Sequence, residues 1–275
     1  MSVITKLTFN QISIATLNMI GEAVQNAIEC KNGVSDTVYR VQAQDKSFIL
    51  KLFENATFEE AKAEKKLLEK LDALPVPKHV CGIFELENKP CALYEAAKGA
   101  HPAEISVLHI RQIGEFLRSM HTATRNLSSQ NPSFANLCAS KKAAASATPF
   151  EPYAYLFDEM ALLPADGVIH GDIFPDNLFF EGEKLSGVID FIEAFEGSFC
   201  FELGVVAFSF CKDKDALEPS KLSALAASYE NVYDEPSIAL AASYAALFYG
   251  VGRFGRNGDY IECLSFLNSN IKTQL

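Results

Sequence analysis

The sequence predicts an α+β chain of two lobes, a small one built on an antiparallel β-sheet and a larger, mainly helical one. Three observations carry this expectation. Before residue 95 short apolar runs alternate with polar turns at hairpin spacing, residues 96–101 are small and rich in helix breakers, and beyond Pro102 apolar residues recur with a helical period. The expected division is therefore 1–95 for the first lobe, 96–101 for a hinge and 102–275 for the second lobe.

Residues 10–30 have a weak helical periodicity and predict a helix. A polar tip at 31–37, containing Gly33 and Ser35, then leads into a strand at 38–41, and Asp45-Lys46 turns the chain into a second strand at 47–53. Free backbone N–H groups at such a tip suit phosphate oxygens, and an ordinary hairpin would use the same residues. Lys51 is the only charge in the second strand. Alternation puts it on the face of Ile49 and Phe53, so its ammonium needs a partner there.

The next helix offers one. From Thr57, an N-cap residue, to Asp72 the apolar positions Ala61, Leu68 and Leu71 mark one stripe, and Glu64 falls on it while Glu59 and Glu69 do not. Glu64 is thus expected to face Lys51, against the alternative of a snorkelling lysine and a solvated glutamate. Leu74-Pro75-Val76-Pro77 ends the helix, and 81–86 with 90–95 reads as a hairpin around Glu87-Asn88-Lys89.

In the second lobe, 105–122 is a helix with Ile110, Ile113, Phe116, Leu117 and Met120 on one face and His121 at its edge, where a hydrogen-bonded structural role is expected. Residues 126–150 read as a loop or weak helix. Helices are expected at 203–211, introduced by Glu202, at 221–230 and at 236–250. Arg253 and Arg256, either side of Gly255, are free to be solvated or to bind a carboxylate or phosphate.

Between these helices lies the stretch that carries chemistry. Residues 167–191 read Gly-Val-Ile-His-Gly-Asp-Ile-Phe-Pro-Asp-Asn-Leu-Phe-Phe-Glu-Gly-Glu-Lys-Leu-Ser-Gly-Val-Ile-Asp-Phe, a loop followed by a hairpin. Asp172, Asn177 and Asp190 stand among apolar neighbours, five and then thirteen residues apart. Carboxylates in such surroundings need pairing, hydrogen bonds or a metal. The layout allows one cation to bridge Asn177 and Asp190 while Asp172 faces a substrate hydroxyl; turn duty alone would not require both spacings.

The His-x-Asp-x-x-x-x-Asn loop with Asp-Phe thirteen residues later resembles the catalytic and metal-binding segments of the protein-kinase-like superfamily, and Gly171 with Pro175-Asp176-Asn177 is similar to its small-molecule branch of aminoglycoside, choline and homoserine kinases. Met1-Ser2-Val3, residues 33–39, 121–125, 174–182 and 188–191, and Cys211 are similar to the homoserine kinase branch in particular. Gly171 itself, Glu202 and Phe210 depart from that branch, and Gly171 is the form typical of choline and aminoglycoside kinases.

The resemblance implies a two-lobe kinase-like fold and an enzyme that uses ATP and Mg2+ to phosphorylate a small-molecule hydroxyl, with homoserine, and hence threonine biosynthesis, the first expectation. Aminoglycoside or choline/ethanolamine acceptors, or an inactive kinase-like binding protein, are the alternatives. It further implies Asp172 as catalytic residue, Asn177 and Asp190 as metal ligands, and Lys51 held on the nucleotide phosphates by Glu64. Ser35 belongs to the phosphate tip, and Glu95 and Ala97 offer main-chain groups to the adenine edge. An inactive relative is expected to have lost one of Lys51, Asp172, Asn177 or Asp190, and all are present.

Composition narrows the class. The 275 residues suffice for two lobes, the chain has no run of 18 uncharged apolar residues, and the opening Met-Ser-Val-Ile-Thr-Lys lacks a signal-peptide pattern, so a cytoplasmic protein without a membrane partner is expected. Seven cysteines, mostly in apolar contexts and with no Cys-x-x-Cys, read as reduced core thiols. Residues 1–98 carry 12 Lys and Arg against 13 Asp and Glu, and residues 99–275 carry 12 against 22, which excludes a basic nucleic-acid footprint and suits a cationic substrate or plain solubility. Nothing in the sequence bears on oligomeric state.

Overall fold

The computed structural model describes residues 4–30, 35–256 and 258–271. The chain divides into two compact units, the first made of Met1–Gly99 with Ser186–Ile192 and the second of Ala100–Leu185 with Glu193–Leu275. The first unit is thus discontinuous in sequence, unlike the contiguous lobe read from the hinge composition.

In the first unit α1 (Phe9–Ile20) starts at Thr8, whose side chain and that of Gln11 cap each other's main chain. It ends at Gly21, which takes the left-handed φ of 70° and returns its N–H to the Leu17 carbonyl. The helix expected over 10–30 is corrected here: its second half is β1 (Val24–Glu29), because Gly21 closes the helix and residues 24–29 pair with the next strand. That strand, β2 (Thr37–Ala43), pairs antiparallel with β3 (Lys46–Leu52). After α2 (Phe58–Lys70) come β4 (Phe84–Leu86) and β5 (Lys89–Glu95), completing an antiparallel sheet in the order β1-β2-β3-β5-β4.

Period-two burial makes the core of this unit. Val41, Leu50, Leu52 and Leu93 are at most 1% exposed and pack with Ile12 and Tyr39, each such aliphatic side chain contributing about 1.5–3 kcal/mol. α2 is started by a reciprocal cap of Thr57 and Glu60 and buries Ala61, Glu64 and Leu68, the stripe expected from its sequence.

The second unit is mainly helical. It contains α3 (Val107–Thr124), α4 (Phe134–Ala145) and the short α5 (Leu156–Met160), followed by β6 (Gly167–Ile169). A 3₁₀ turn at Pro175–Asn177 leads into β7 (Leu178–Glu181), and Gly182, at φ 61°, turns the chain toward β8 (Lys184–Val188), within which it passes into the first unit. Back in the second unit, β9 (Phe195–Gly197) pairs antiparallel with β6 and precedes the almost wholly buried α6 (Phe199–Phe210). The two-residue strands β10 (Lys212–Asp213) and β11 (Ala216–Leu217) then lead to α7 (Pro219–Ser228), α8 (Glu235–Gly255) and α9 (Ile261–Asn270).

α6 lies directly on α8. At Gly204 a Cβ would stand 2.3 Å from the Ala241 carbonyl carbon, so only glycine permits that approach. α8 has the length and mean hydropathy, 1.2, of a membrane span, but 61% of that window is buried within the protein, which makes it a core helix.

Candidate active site

Lys51 is set by sheet register. It lies in β3 opposite Val38 of β2 and Ala92 of β5, and its side chain leaves the sheet on the α2 face. Its Nζ is 2.7 Å from Asp190 Oδ1 and 3.1 Å from Asp36 Oδ2. The ion pair expected with Glu64 is corrected: that carboxylate is not within 4.0 Å of the ammonium and accepts the Tyr94 hydroxyl at 2.7 Å instead. Glu64 is nonetheless 5% exposed and faces inward, as its stripe position requires.

Electrostatics link these groups. Burial alone disfavours the Lys51 ammonium, but the charges of Asp190, Glu64 and Asp36 outweigh it and hold its pKa above the ordinary value. Burial raises the Glu64 pKa, opposed by Lys51 and by the Tyr94 hydrogen bond. Two carboxylates on one ammonium, with a third close enough to be felt, leave negative charge in excess, which suits a site that receives a divalent cation.

Asp36 was not foreseen, although its position one residue before β2 was the available signal. Its Oδ1 accepts the Glu54 N–H at 3.0 Å, which aims Oδ2 at Lys51. Asp190 holds a left-handed φ of 74°, unusual outside glycine. The chain leading to it is fastened in the first unit by Ser186 Oγ donating to the Lys98 carbonyl at 2.7 Å and Val188 N–H donating to the Pro75 carbonyl at 2.8 Å. Ser35 is exposed beside Asp36, and Gly33 lies outside the described residues. Glu95 spends its N–H on the Lys78 carbonyl at 2.9 Å, so its own carbonyl is the group it can offer a ligand, and the Ala97 N–H enters no main-chain bond among the described residues.

The second unit organises the loop after β6. Asn177 Nδ2 donates to the Asp172 carbonyl at 2.8 Å and to Asp172 Oδ2 at 2.9 Å, which orients the carboxylate and turns the amide oxygen Oδ1 the other way. His170 Nδ1 accepts the Asp172 N–H at 3.1 Å. Gly171 takes φ 76°, and a Cβ there would stand 2.4 Å from Phe195 Cε1. Both faces of its peptide are held: the N–H donates to Glu202 Oε1 at 2.7 Å, and the carbonyl accepts the Tyr249 hydroxyl.

Glu202 is fully buried on α6, and its Oε2 lies 2.6 Å from His121 Nε2. His121 Nδ1 in turn meets the Tyr229 hydroxyl at 2.8 Å, and the ring stacks on Phe199 at 4.0 Å and 3°. α3, α6 and α8 thereby clamp the peptide one residue before Asp172, so its position is bought with buried hydrogen bonds rather than left to a mobile loop. The sequence marked Glu202 as the residue introducing a helix and as a departure from the branch it resembles, gave it no part in the site, and gave Tyr249 no role; an acidic residue in an otherwise apolar helix was the signal.

Each unit offers a hard oxygen donor of its own: the Asp190 carboxylate in the first, and in the second Oδ1 of Asn177, whose Nδ2 is the atom turned to Asp172. Among the described residues no three His, Cys, Asp or Glu side chains gather into a closed cage. Magnesium takes few protein oxygens and completes its octahedron with phosphates and water, so a carboxylate or an amide oxygen is the kind of donor it accepts from either unit.

Comparison with known proteins gives a family and a fold. The model of the phosphotransferase enzyme family matches residues 27–240. A curated protein of Polaromonas naphthalenivorans (strain CJ2) named homoserine kinase is 26% identical over 256 residues, covering 84% of this chain and 81% of the relative. A homoserine kinase of Pseudomonas aeruginosa (strain LESB58) is 29% identical over 232 residues, covering 77% and 73%. Among solved structures, aminoglycoside phosphotransferase APH(4)-Ia, in a ternary complex with AMP-PNP and hygromycin B, superposes with a TM-score of 0.67 at 11% identity, over 96% of this chain and 98% of that one.

Proposed function

This chain belongs to the phosphotransferase enzyme family, and on that premise we propose that it transfers the γ-phosphoryl group of ATP to the side-chain hydroxyl of homoserine. The observation that carries the chemistry is the Asp172 carboxylate, held at Oδ2 by Asn177 on a loop clamped by Glu202 and Tyr249. Asp172 orients the acceptor hydroxyl and takes its proton as the hydroxyl oxygen bonds to the γ-phosphorus and the bond from that phosphorus to the ADP oxygen breaks. No residue becomes phosphorylated.

Lys51 serves the nucleotide phosphates, positioned by Asp190 and Asp36 and supported by the charge of Glu64. Ser35 belongs to the same phosphate end, and the Glu95 carbonyl and Ala97 N–H serve the adenine edge. Asp190 and Asn177 are the residues that would hold magnesium through oxygen, and the ion would offset charge on the phosphates when bound. Homoserine as acceptor is supported by the relatives named homoserine kinase and by the strings shared with that branch. Seven free thiols support a reducing, cytoplasmic setting.

Steady-state phosphorylation of homoserine, choline and an aminoglycoside, with ATP and magnesium, tests the reading. Homoserine is expected to be preferred, and Asp172→Asn to lower kcat by roughly a hundredfold or more. A clear preference for choline or the aminoglycoside refutes the acceptor and spares the kinase; undiminished turnover in the variant refutes the role of Asp172.

A further inference from the structure

The second unit holds a cation with no ion-pair partner among the described residues. Lys141 of α4 is half-buried, yet no carboxylate lies within 4.0 Å of it among the described residues, whereas its exposed neighbour Lys142 is paired with Asp158 at 2.6 Å. The arrangement is the reverse of what desolvation favours, since the less hydrated ammonium is the one in need of an anion. Instead Lys141 Nζ rests 4.7 Å over the Phe248 ring, and burial and the charge of Arg256 lower its pKa, with Glu193 acting the other way.

The surroundings are built for that ammonium. Phe248 and Gly252 lie four residues apart on the last turns of α8, and Arg256, four further on, is the residue that caps its C-terminus. A Cβ at position 252 would stand 2.5 Å from Lys141 Nζ and 4.0 Å from Arg256 Nη2, so the glycine leaves room for the two cations to converge. The same end of α8 reaches the catalytic loop: Tyr249 donates to the Gly171 carbonyl and stands edge-on to Phe174 at 4.8 Å, and the Arg253 guanidinium lies 5.4 Å over Phe174. The Tyr249 hydroxyl is close enough to feel the charges of Asp172, Glu193 and Arg253.

We infer that Lys141 and Arg256 form an anion subsite for the carboxylate of the acceptor, with Glu193 available to its ammonium, so that the enzyme selects zwitterionic amino-acid alcohols over alcohols without a carboxylate. The inference rests on the phosphotransferase reading and on the amino-acid acceptor proposed above, and it adds the residues that recognise that acceptor. Arg253 is assigned a different part, because its Nη1 is already engaged by Glu262 Oε2 at 3.7 Å and Cys263 Sγ at 3.6 Å.

The test compares L-homoserine with 3-aminopropan-1-ol, which has the amine and hydroxyl but no carboxylate. Lys141→Met and Arg256→Met are each expected to raise KM for homoserine by roughly 10- to 100-fold, the loss of one charge-assisted contact, with KM for ATP unchanged and kcat little affected. KM for 3-aminopropan-1-ol, already high, is expected not to move. Gly252→Ala gives an independent arm: it favours the helix, keeps every charge and displaces the ammonium, so it should raise the homoserine KM without loss of thermal stability. Wild-type turnover of homoserine with unchanged KM in all three variants overturns the subsite and leaves the proposed reaction standing. A wild-type enzyme that phosphorylates only acceptors without a carboxylate overturns both.

Discussion

Glu202→Ala is the substitution that most directly tests how the loop carrying Asp172 is held. The carboxylate is fully buried and makes two short hydrogen bonds, 2.7 Å from the Gly171 N–H and 2.6 Å to His121 Nε2. A hydrogen bond to a charged group contributes about 1.5–3 kcal/mol, and truncation leaves two buried partners unsatisfied, so the expected loss of stability is about 3–5 kcal/mol. At a urea dependence of about 3 kcal/mol per molar, the unfolding midpoint should fall by about 1–1.7 M. Far-ultraviolet circular dichroism and tyrosine fluorescence can follow it, since the chain has no tryptophan. Turnover should fall as well, because Gly171 then keeps only the Tyr249 contact. Glu202→Gln, which can still accept from Gly171, is expected to lie between the two proteins. A Glu202→Ala midpoint within about 0.2 M of wild type would refute the clamp.

Gly171→Ala should destabilise by about 2–3 kcal/mol in the same assay, because a side chain at φ 76° is strained and its Cβ meets the Phe195 ring at 2.4 Å; an unshifted midpoint would count against that close approach. Asp190→Asn, a residue tolerant of the left-handed φ of 74°, should keep the circular dichroism spectrum and lower kcat by at least about a hundredfold at saturating magnesium; near wild-type kcat would remove Asp190 from the metal site. His79 packs on Tyr94 at 4.4 Å with both ring nitrogens buried and unbonded, and burial followed by the charge of Lys65 lowers its pKa to about 4. The unfolded chain binds the proton more tightly, so this contribution is complete above about pH 6.5 and is lost as the pH falls from there toward about 4. Allowing for partial solvent screening, it amounts to about 2 kcal/mol, and His79→Phe, which keeps the ring stack, should flatten that part of the stability profile in urea titrations; an unaltered profile would show that other groups cause it.

What the sequence determined was local. Strand alternation put Lys51 on the inner face of β3, the four- and three-residue spacing around Glu64 buried it on α2, Thr57 began that helix, and the stretch holding Asp172, Asn177 and Asp190 marked a loop followed by a hairpin. Each of these follows from the period of one element or from the reach of one side chain within a turn. Tertiary structure alone decided the partners. Lys51 meets Asp190, 139 residues away, and Asp36 rather than Glu64, because the Tyr94 hydroxyl satisfies Glu64 and the nearer carboxylates take the ammonium. The pairing of residues 24–29 with β2 turned half of an expected helix into a strand, and Ser186–Ile192 joined the first unit through hydrogen bonds to Lys98 and Pro75. Glu202 and Tyr249 close on Gly171 from α6 and α8 because Gly204 lets those two helices touch, and periodicity within a single helix carries no record of which neighbour it will meet.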